Sequence, residues 1–347
     1  MQHIGIKEVA TKAKVSVGTV DRVIHNRGRV SESTREKVLR VCEDLNYHPN
    51  VLAQRLAADK PVVFVTITPG FSSDNTYWKI PLEGIQKAAR EMTGYKVKVE
   101  NLFFNLADPV SFRKAALDAI LLEPDGILLA PVFKREAREF IRKCKERKIL
   151  FVFLDTIIEN IEPLSSFYQD PFESGYLAGR LLSFHLRRKS EILVVNFTLD
   201  IENNIHLGNR DKGLRQFFSD NNFRGKIEEL NINPADELLL TKKLEDILHH
   251  KTRGIFVTSS AHKVAKSLEK TGKSGLMVVG YDLTPDNVRY LKKGVIDVLL
   301  CQKPAAQGYG GMMALFNHFV RKIPVRKEQI MPVDIIVKEN YRDYRDF

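Results

Sequence analysis

Several polar side chains follow directly on apolar runs in the longer, C-terminal part of the sequence. Asp155 follows Phe151-Val152-Phe153-Leu154, Asp282 follows Val278-Val279-Gly280-Tyr281, and Gln302 follows Val298-Leu299-Leu300-Cys301. Ser259 and Ser260 come just after Gly254-Ile255-Phe256-Val257. Phe71, Tyr77 and Trp78 follow the first run, Arg210 sits in Asn209-Arg210-Asp211-Lys212-Gly213, and Asp170 precedes Pro171. Carboxylates, a guanidinium and a carboxamide that converge on one cleft bind hydroxyl groups in pairs, and an aromatic face covers apolar C–H surface. That is the chemistry of sugar binding. Turnover needs more, and no nucleophile, base and orienting group stand in a recognisable pattern. There is no GxSxG and no HExxH. Thr271-Gly272-Lys273-Ser274 lacks the first glycine of a phosphate loop, Gly308-Tyr309-Gly310-Gly311 falls within a helical stretch, and His249-His250 is an adjacent pair that shares no helix face. The reading is therefore a binding protein with no catalytic residue, no cofactor and no metal ligand.

The elements that would position these groups alternate. Apolar runs at 62–67, 126–130, 149–154, 192–195, 254–257 and 276–279 read as parallel strands buried on both faces. Helical stretches are predicted at 81–92, 109–122, 134–147, 171–187, 234–250, 261–271 and 304–320. This is βαβ architecture, too long for one sheet, so two doubly wound parallel sheets with a cleft between them are expected. Ligands bind beyond the carboxyl ends of such strands. Crossovers near 161–165, 282–286 and 322–326 would make both lobes of a 61–347 core discontinuous, about 61–161 plus 286–322 and 162–285 plus 323–347.

The first sixty residues follow a different pattern. Ile6, Val9, Ala10 and Ala13 recur at helical spacing; Ser16 is placed to cap a second helix carrying Val17, Val20, Val23 and Ile24; and Ser31 is placed to cap a third with Val38, Val41, Cys42 and Leu45 on one face. Two short helices joined through Lys14-Val15-Ser16 describe a helix-turn-helix. The N-terminal residues of its second helix meet base edges in the major groove. Here these are Val17, Gly18 and Asp21, followed by Arg22, while Ser16, Thr19, Asn26 and Arg29 are within reach of phosphates. Arg22 either reads a guanine or contacts phosphate or Asp21. Residues 1–60 hold 11 Lys/Arg against 7 Asp/Glu, within a chain of formal net charge +11. This balance suits a polyanionic partner without proving one. Pro49 stops the preceding segment, and Asn50 is placed to cap a short helix over Asn50–Ala57.

The pieces "EVATKAKVSVGTVDRV", "VSESTREKV" and "LNYHPNVLAQRLA" resemble, in order, the LacI/GalR family of bacterial repressors. The resemblance covers the first sixty residues and, more loosely, the rest. It implies a helix-turn-helix domain over 1–48, a hinge helix and linker over 49–60, and a two-lobed core like periplasmic sugar-binding proteins. It implies a homodimer on double-stranded operator DNA, with Leu56 entering the minor groove and Ala53 letting two hinge helices approach. It also implies a sugar or sugar-derived effector, and it strengthens Arg210, Asp282 and Gln302 as its contacts. Two departures stand out. Asp21 replaces a family Ser or Ala, and Ser259-Ser260 replaces an Asn-Asp pair. Repressor, activator and corepressor-dependent readings stay open, as does a sugar-binding or sugar-modifying protein whose head serves assembly.

The 347 residues contain three cysteines, Cys42, Cys144 and Cys301, none at metal or redox spacing, which suits a reducing compartment. The N-terminus lacks the apolar core of a signal peptide, and no uncharged apolar run approaches membrane length. A cytoplasmic protein without membrane association is expected.

Overall fold

A computed structural model describes residues 5–24, 28, 30–45, 47, 60–71, 76–187, 189–198, 200–233 and 236–344. The chain divides into two compact units, Met1–Lys60 with Gly94–Lys96 and Pro61–Thr93 with Val97–Phe347. The first contains three helices: α1 (Ile6–Ala13), α2 (Val17–Ile24) and α3 (Glu32–Asp44). Val9, Ala10, Ala13, Val20, Val23, Val38 and Val41 form its buried core, one face from each helix. The α1–α2 turn is tight because Lys14 takes a left-handed conformation, φ 54°, and Val15 N–H returns to the Ala10 carbonyl at 3.0 Å. Ser31 caps α3 by accepting from Thr34 N–H, as its position in the sequence predicts. Asn26, Arg29, Asn50, Ala53 and Leu56 lie outside the described residues.

The second unit consists of two six-stranded α/β lobes. The first lobe contains β1 (Val62–Pro69), α4 (Lys79–Glu91), β2 (Val97–Phe104), α5 (Pro109–Leu121), β3 (Gly126–Leu129), α6 (Lys134–Glu146), β4 (Leu150–Asp155) and β5 (Ser165–Tyr168). The chain then crosses to the second lobe, with α7 (Pro171–Ser183), β6 (Glu191–Asn196), α8 (Ile205–Asp220), β7 (Ile227–Asn231), α9 (Glu237–Ile247), β8 (Thr252–Val257), α10 (Ala261–Thr271), β9 (Met277–Tyr281), α11 (Pro285–Lys293) and β10 (Val298–Cys301). It returns to the first lobe as α12 (Pro304–Phe316) and β11 (Glu328–Ile330) before β12 (Asp334–Ile336) completes the second. The sheet orders are β11-β5-β4-β3-β1-β2 and β12-β10-β9-β8-β6-β7. Apart from their edge strands the two orders are the same, and all pairs are parallel except β10–β12. Among the described residues, no helix is long and apolar enough to cross a membrane.

The strands are apolar because both faces are covered. In the second lobe, Leu193, Val195, Ile255, Val257 and Val278 pack on one side, and Ile192, Val194, Phe256 and Val279 on the other. This is the two-residue alternation of a strand.

The lobe boundaries differ from the sequence expectation. β5 and β11 belong to the first sheet and β10 to the second, so the chain crosses between Tyr168 and Pro171, between Cys301 and Pro304, and between Ile330 and Asp334. The strands β5, β10, β11 and β12 are three or four residues long, too short to show periodicity. A better signal was in the sequence. Gln169-Asp170-Pro171 and Gln302-Lys303-Pro304 each follow a crossing strand, and each proline opens a helix in the other lobe.

The helix pairs beside these crossings approach unusually closely. A Cβ at Gly175 of α7 would lie 1.9 Å from the Arg210 carbonyl oxygen on α8, and one at Gly84 of α4 would lie 1.9 Å from the Ala305 carbonyl oxygen on α12. Gly175→Ala must push α7 and α8 apart, at a cost of about 1–3 kcal/mol. A lower midpoint for the core in thermal or urea unfolding is the expected outcome. Gly208→Ala, on α8 itself with its nearest neighbouring atom at 3.4 Å, serves as the control.

Candidate ligand cleft and helix-turn-helix face

The carboxyl ends of both sheets open on one cleft of about 770 Å³. Phe71, Tyr77, Trp78, Asp155, Arg210, Ser259, Ser260, Asp282 and Gln302, spread over more than 230 positions of sequence, all line it. Asp170 does not. It is the N-cap of α7, where its carboxylate accepts from Phe172 N–H and Glu173 N–H. Asp followed by Pro at the first helical position is a helix start, and that role accounts for the residue.

Asp155 ends β4 and Asp282 follows β9, equivalent places in the two sheet orders. Both take left-handed backbone conformations, φ 70° and 71°, which turn the chain sharply off the strand. Arg210, from α8, is 3 % exposed. Its guanidinium lies 3.6 Å from the Tyr281 ring centre, donates to the Thr258 carbonyl at 2.6 Å, and donates to Gln302 Oε1 at 3.1 Å. Gln302 Nε2 donates in turn to Asp282 Oδ1 at 3.0 Å. In the first lobe, the Tyr77 hydroxyl donates to Asp155, whose own N–H is held by Gln307 Oε1 at 3.1 Å. Gln307 Nε2 closes the chain on the Gln302 carbonyl at 2.8 Å. A hydrogen-bonded path thus runs from one lobe through a crossover to the other.

The electrostatics follow from burial. Asp282 is pushed up to about 7 by desolvation, against the pull of the Arg210 charge and the Gln302 hydrogen bond. Asp155 is raised for the same first reason, with Tyr77 and Arg210 opposing. Arg210 Nε has no hydrogen-bond partner. A buried donor left unpaired is costly, and ligand oxygen would relieve that cost.

Other lining residues escaped the sequence reading, among them His206, Lys263, Phe133 and Asn203. His206 stands one turn before Arg210, and burial and the Arg210 charge hold its imidazole down to about 3, so it is neutral. Helix α8 was not read at all, because its apolar positions lie on several sides and Gly208 and Gly213 interrupt them.

The lobes also meet directly at the cleft edge. The N-cap position of α6, Phe133, offers no capping side chain. The second lobe supplies one. Lys134 N–H donates to the Asn203 carbonyl at 3.3 Å and Arg135 N–H to Asn203 Oδ1 at 3.2 Å. Phe133 and Asn204 form an antiparallel bridge, and Arg135 pairs with Asp200 at 3.0 Å.

On α2, Ser16, Val17, Gly18 and Arg22 are exposed, while Thr19 and Asp21 are half-buried. Ser16 Oγ accepts from Thr19 N–H at 3.1 Å, capping the helix. Arg22 Nε donates back to the Gly18 carbonyl at 3.0 Å, which holds its guanidinium along the helix face.

The raised Asp282 pKa makes stability pH-dependent. The folded state binds this proton more tightly than the unfolded chain, so the contribution is complete below about pH 4 and is lost as pH rises through about 7. The ligand-free protein is expected to melt at lower temperature at pH 8 than at pH 6. Asp282→Asn is expected to shrink that difference, as differential scanning calorimetry of both proteins at both pH values would read.

Comparison with known proteins agrees with this geometry. Residues 65–322 match the family described as periplasmic binding protein domain, and residues 5–50 match the bacterial regulatory proteins of the lacI family. The chain is 38% identical over 96 residues to catabolite control protein A of Streptococcus mutans, covering 28% of this chain and 27% of that one. It is 26% identical over 226 residues to the HTH-type transcriptional regulator pepR1 of Lactobacillus delbrueckii, covering 65% of this chain and 63% of that one. The match therefore spans less than two thirds of either relative. Among solved structures, one described as a LacI transcriptional regulator from Bacteroides fragilis superposes with a TM-score of 0.76 at 26% identity, covering 82% of this chain and 99% of the other. A glucose-galactose binding protein from Geobacillus stearothermophilus gives 0.72 at 22% identity, covering 81% and 99%, and shares the fold. Over residues 65–322 the chain thus belongs to the family described as periplasmic binding protein domain, and over 5–50 its head matches the bacterial regulatory proteins of the lacI family.

Proposed function

We propose that the chain is a bacterial transcription repressor that binds operator DNA as a homodimer in the cytoplasm, and that a sugar or sugar derivative in the cleft sets its operator affinity. The observation that carries the reading is the convergence of Asp155, Asp282, Arg210 and Gln302 on one cleft beneath an aromatic wall. Fixed, buried acceptors and donors of this kind fit the paired hydroxyls of a sugar ring, and Tyr77 or Trp78 fits its C–H face. The exposed start of α2, with Ser16, Val17, Gly18 and Arg22, supports DNA reading. Leu56 is assigned to the minor groove and Ala53 to the contact between paired hinge helices.

Coupling follows from differential affinity. An effector that touches both lobes binds the closed core more tightly than the open one, and any difference in operator affinity between the two is then shifted by the same free energy. The Asn203 contact ties the second lobe to the start of α6 at the cleft edge, so it favours the arrangement in which the lobes meet.

Fluorescence anisotropy of the purified protein on a pool of labelled palindromic operators, with and without a panel of sugars and sugar phosphates, tests the whole reading. Selective binding that weakens steeply with salt and shifts with one sugar is expected. Salt-insensitive or absent binding across a broad pool would overturn it. Arg210→Met is expected to weaken effector binding by roughly 10- to 100-fold, since hydrogen bonds to a charged group contribute about 1.5–3 kcal/mol, and to leave operator binding without effector intact. Asn203→Ala removes a trans-cap worth about 1 kcal/mol. Effector affinity measured by calorimetry should fall about fivefold, with a larger radius of gyration for the ligand-free core in X-ray scattering. Lys98→Ala, which breaks only an exposed pair with Glu100, should change little.

A further inference from the structure

Two phenylalanines on the cleft wall contribute little to any core. Phe71 and Phe103 are each 46 % exposed, and their rings meet edge to face at 6.4 Å between centroids and 87°. Both line the cleft, at the ends of β1 and β2. The polar network of Asp155, Asp282 and Gln302 stands at the ends of β4, β9 and β10, on the crossover side. In the sheet order β4-β3-β1-β2, three strand intervals separate Asp155 from Phe103, and at ~4.8 Å each these span about 14 Å. A pyranose spans little more than one such interval between its 1- and 4-oxygens.

Volume gives the same answer independently. A water takes ~30 Å³ of liquid, so the twelve heavy atoms of a hexopyranose, even as loosely packed as water, need at most about 360 Å³. The cleft offers about 770 Å³. One ring on the buried network therefore leaves room in the cleft, whose lining includes the phenylalanine pair. The same cleft is lined from the second lobe by Asn233 beyond β7 and Ser259 and Ser260 beyond β8, and from the first by Asn105, just after β2. A cleft with an apolar pair and with carboxamides and hydroxyls suits a ring with a C–H face and a hydroxyl edge. A planar aromatic ligand would leave the polar groups unanswered.

We propose that the Phe71–Phe103 pair is an outer subsite for a second sugar ring, and that the effector is a disaccharide or a similarly sized glycoside. This rests on the sugar-binding reading above and narrows it. Calorimetric titration of the full-length protein tests it with D-glucose, D-galactose, D-mannose, D-xylose and L-arabinose, and with maltose, cellobiose, lactose, melibiose and xylobiose. At least one disaccharide should bind tenfold or more tighter than any of the monosaccharides. The double variant Phe71→Ala/Phe103→Ala should bring that disaccharide down to monosaccharide affinity while lowering monosaccharide binding far less. Three results would overturn the proposal and leave the sugar-regulated reading standing: a monosaccharide that binds as tightly as any disaccharide, a double variant with undiminished disaccharide affinity, or a double variant that loses monosaccharides equally. Binding of no sugar of either size would overturn this proposal, and the sugar-regulated reading falls with it only if the sugar phosphates also fail to bind.

Discussion

The core is organised around one buried cation whose balancing charges do not touch it. Arg210 is enclosed, and among the described residues no carboxylate pairs with it directly; Gln302 and the Thr258 carbonyl take its hydrogen bonds and the Tyr281 ring takes its face. Asp155 and Asp282 balance it at a distance, one from each lobe. A charge held this way retains unmet hydrogen-bonding capacity. A direct ion pair would have spent that capacity internally, and the ligand would have had to break it. The close α7–α8 packing at Gly175, which fixes the Arg210 backbone, and the left-handed turns that aim the two aspartates all serve the same arrangement.

The repeated strand order explains why the groups converge. Each lobe has the order 2-1-3-4-5 in its own numbering, so each brings its fourth strand to the same depth, and the aspartate beyond that strand reaches the same place from the opposite side. Gln302 differs from Gln169, its counterpart after β5. Gln302 is tied to Arg210, Asp282 and Gln307 across the crossover, whereas Gln169 makes no such links. The symmetry of the scaffold is thus broken at the point where polar groups are needed.

Much of this was legible beforehand because strand ends are legible. An apolar run followed by a polar residue locates a carboxyl end without any knowledge of the neighbouring strand, and Asp155, Asp282, Gln302, Ser259 and Ser260 were found that way. Asp170 failed because the same test cannot distinguish a cleft residue from an N-cap, although the following proline pointed to the cap. His206 and Lys263 were missed because they lie on the first turns of helices, where burial depends on the opposite lobe and leaves no periodic trace. Asn203 was missed for a related reason: it caps a helix some seventy residues away in sequence. The lobe boundaries were misplaced because strands of three or four residues carry too little pattern to assign.

The contacts between the lobes at Asn203 and Arg135 and the polar network together set how much work an effector must do. The Arg135–Asp200 pair is largely exposed, and such pairs contribute roughly 0–1 kcal/mol. The Asn203 cap adds about 1 kcal/mol more. Contacts of this size bias closure by at most about 2 kcal/mol, a minor part of the ~5.5 kcal/mol of differential binding that reversing a 1:99 equilibrium takes. Few groups in the cleft can supply that much. Arg210 can, together with the two aspartates, because each gains a hydrogen bond in a water-poor site where it has been only partly satisfied. The lobe contacts are weak and the polar network is underpaired, and for the same reason: a sensor that closed strongly on its own would have no free energy left for its ligand to control.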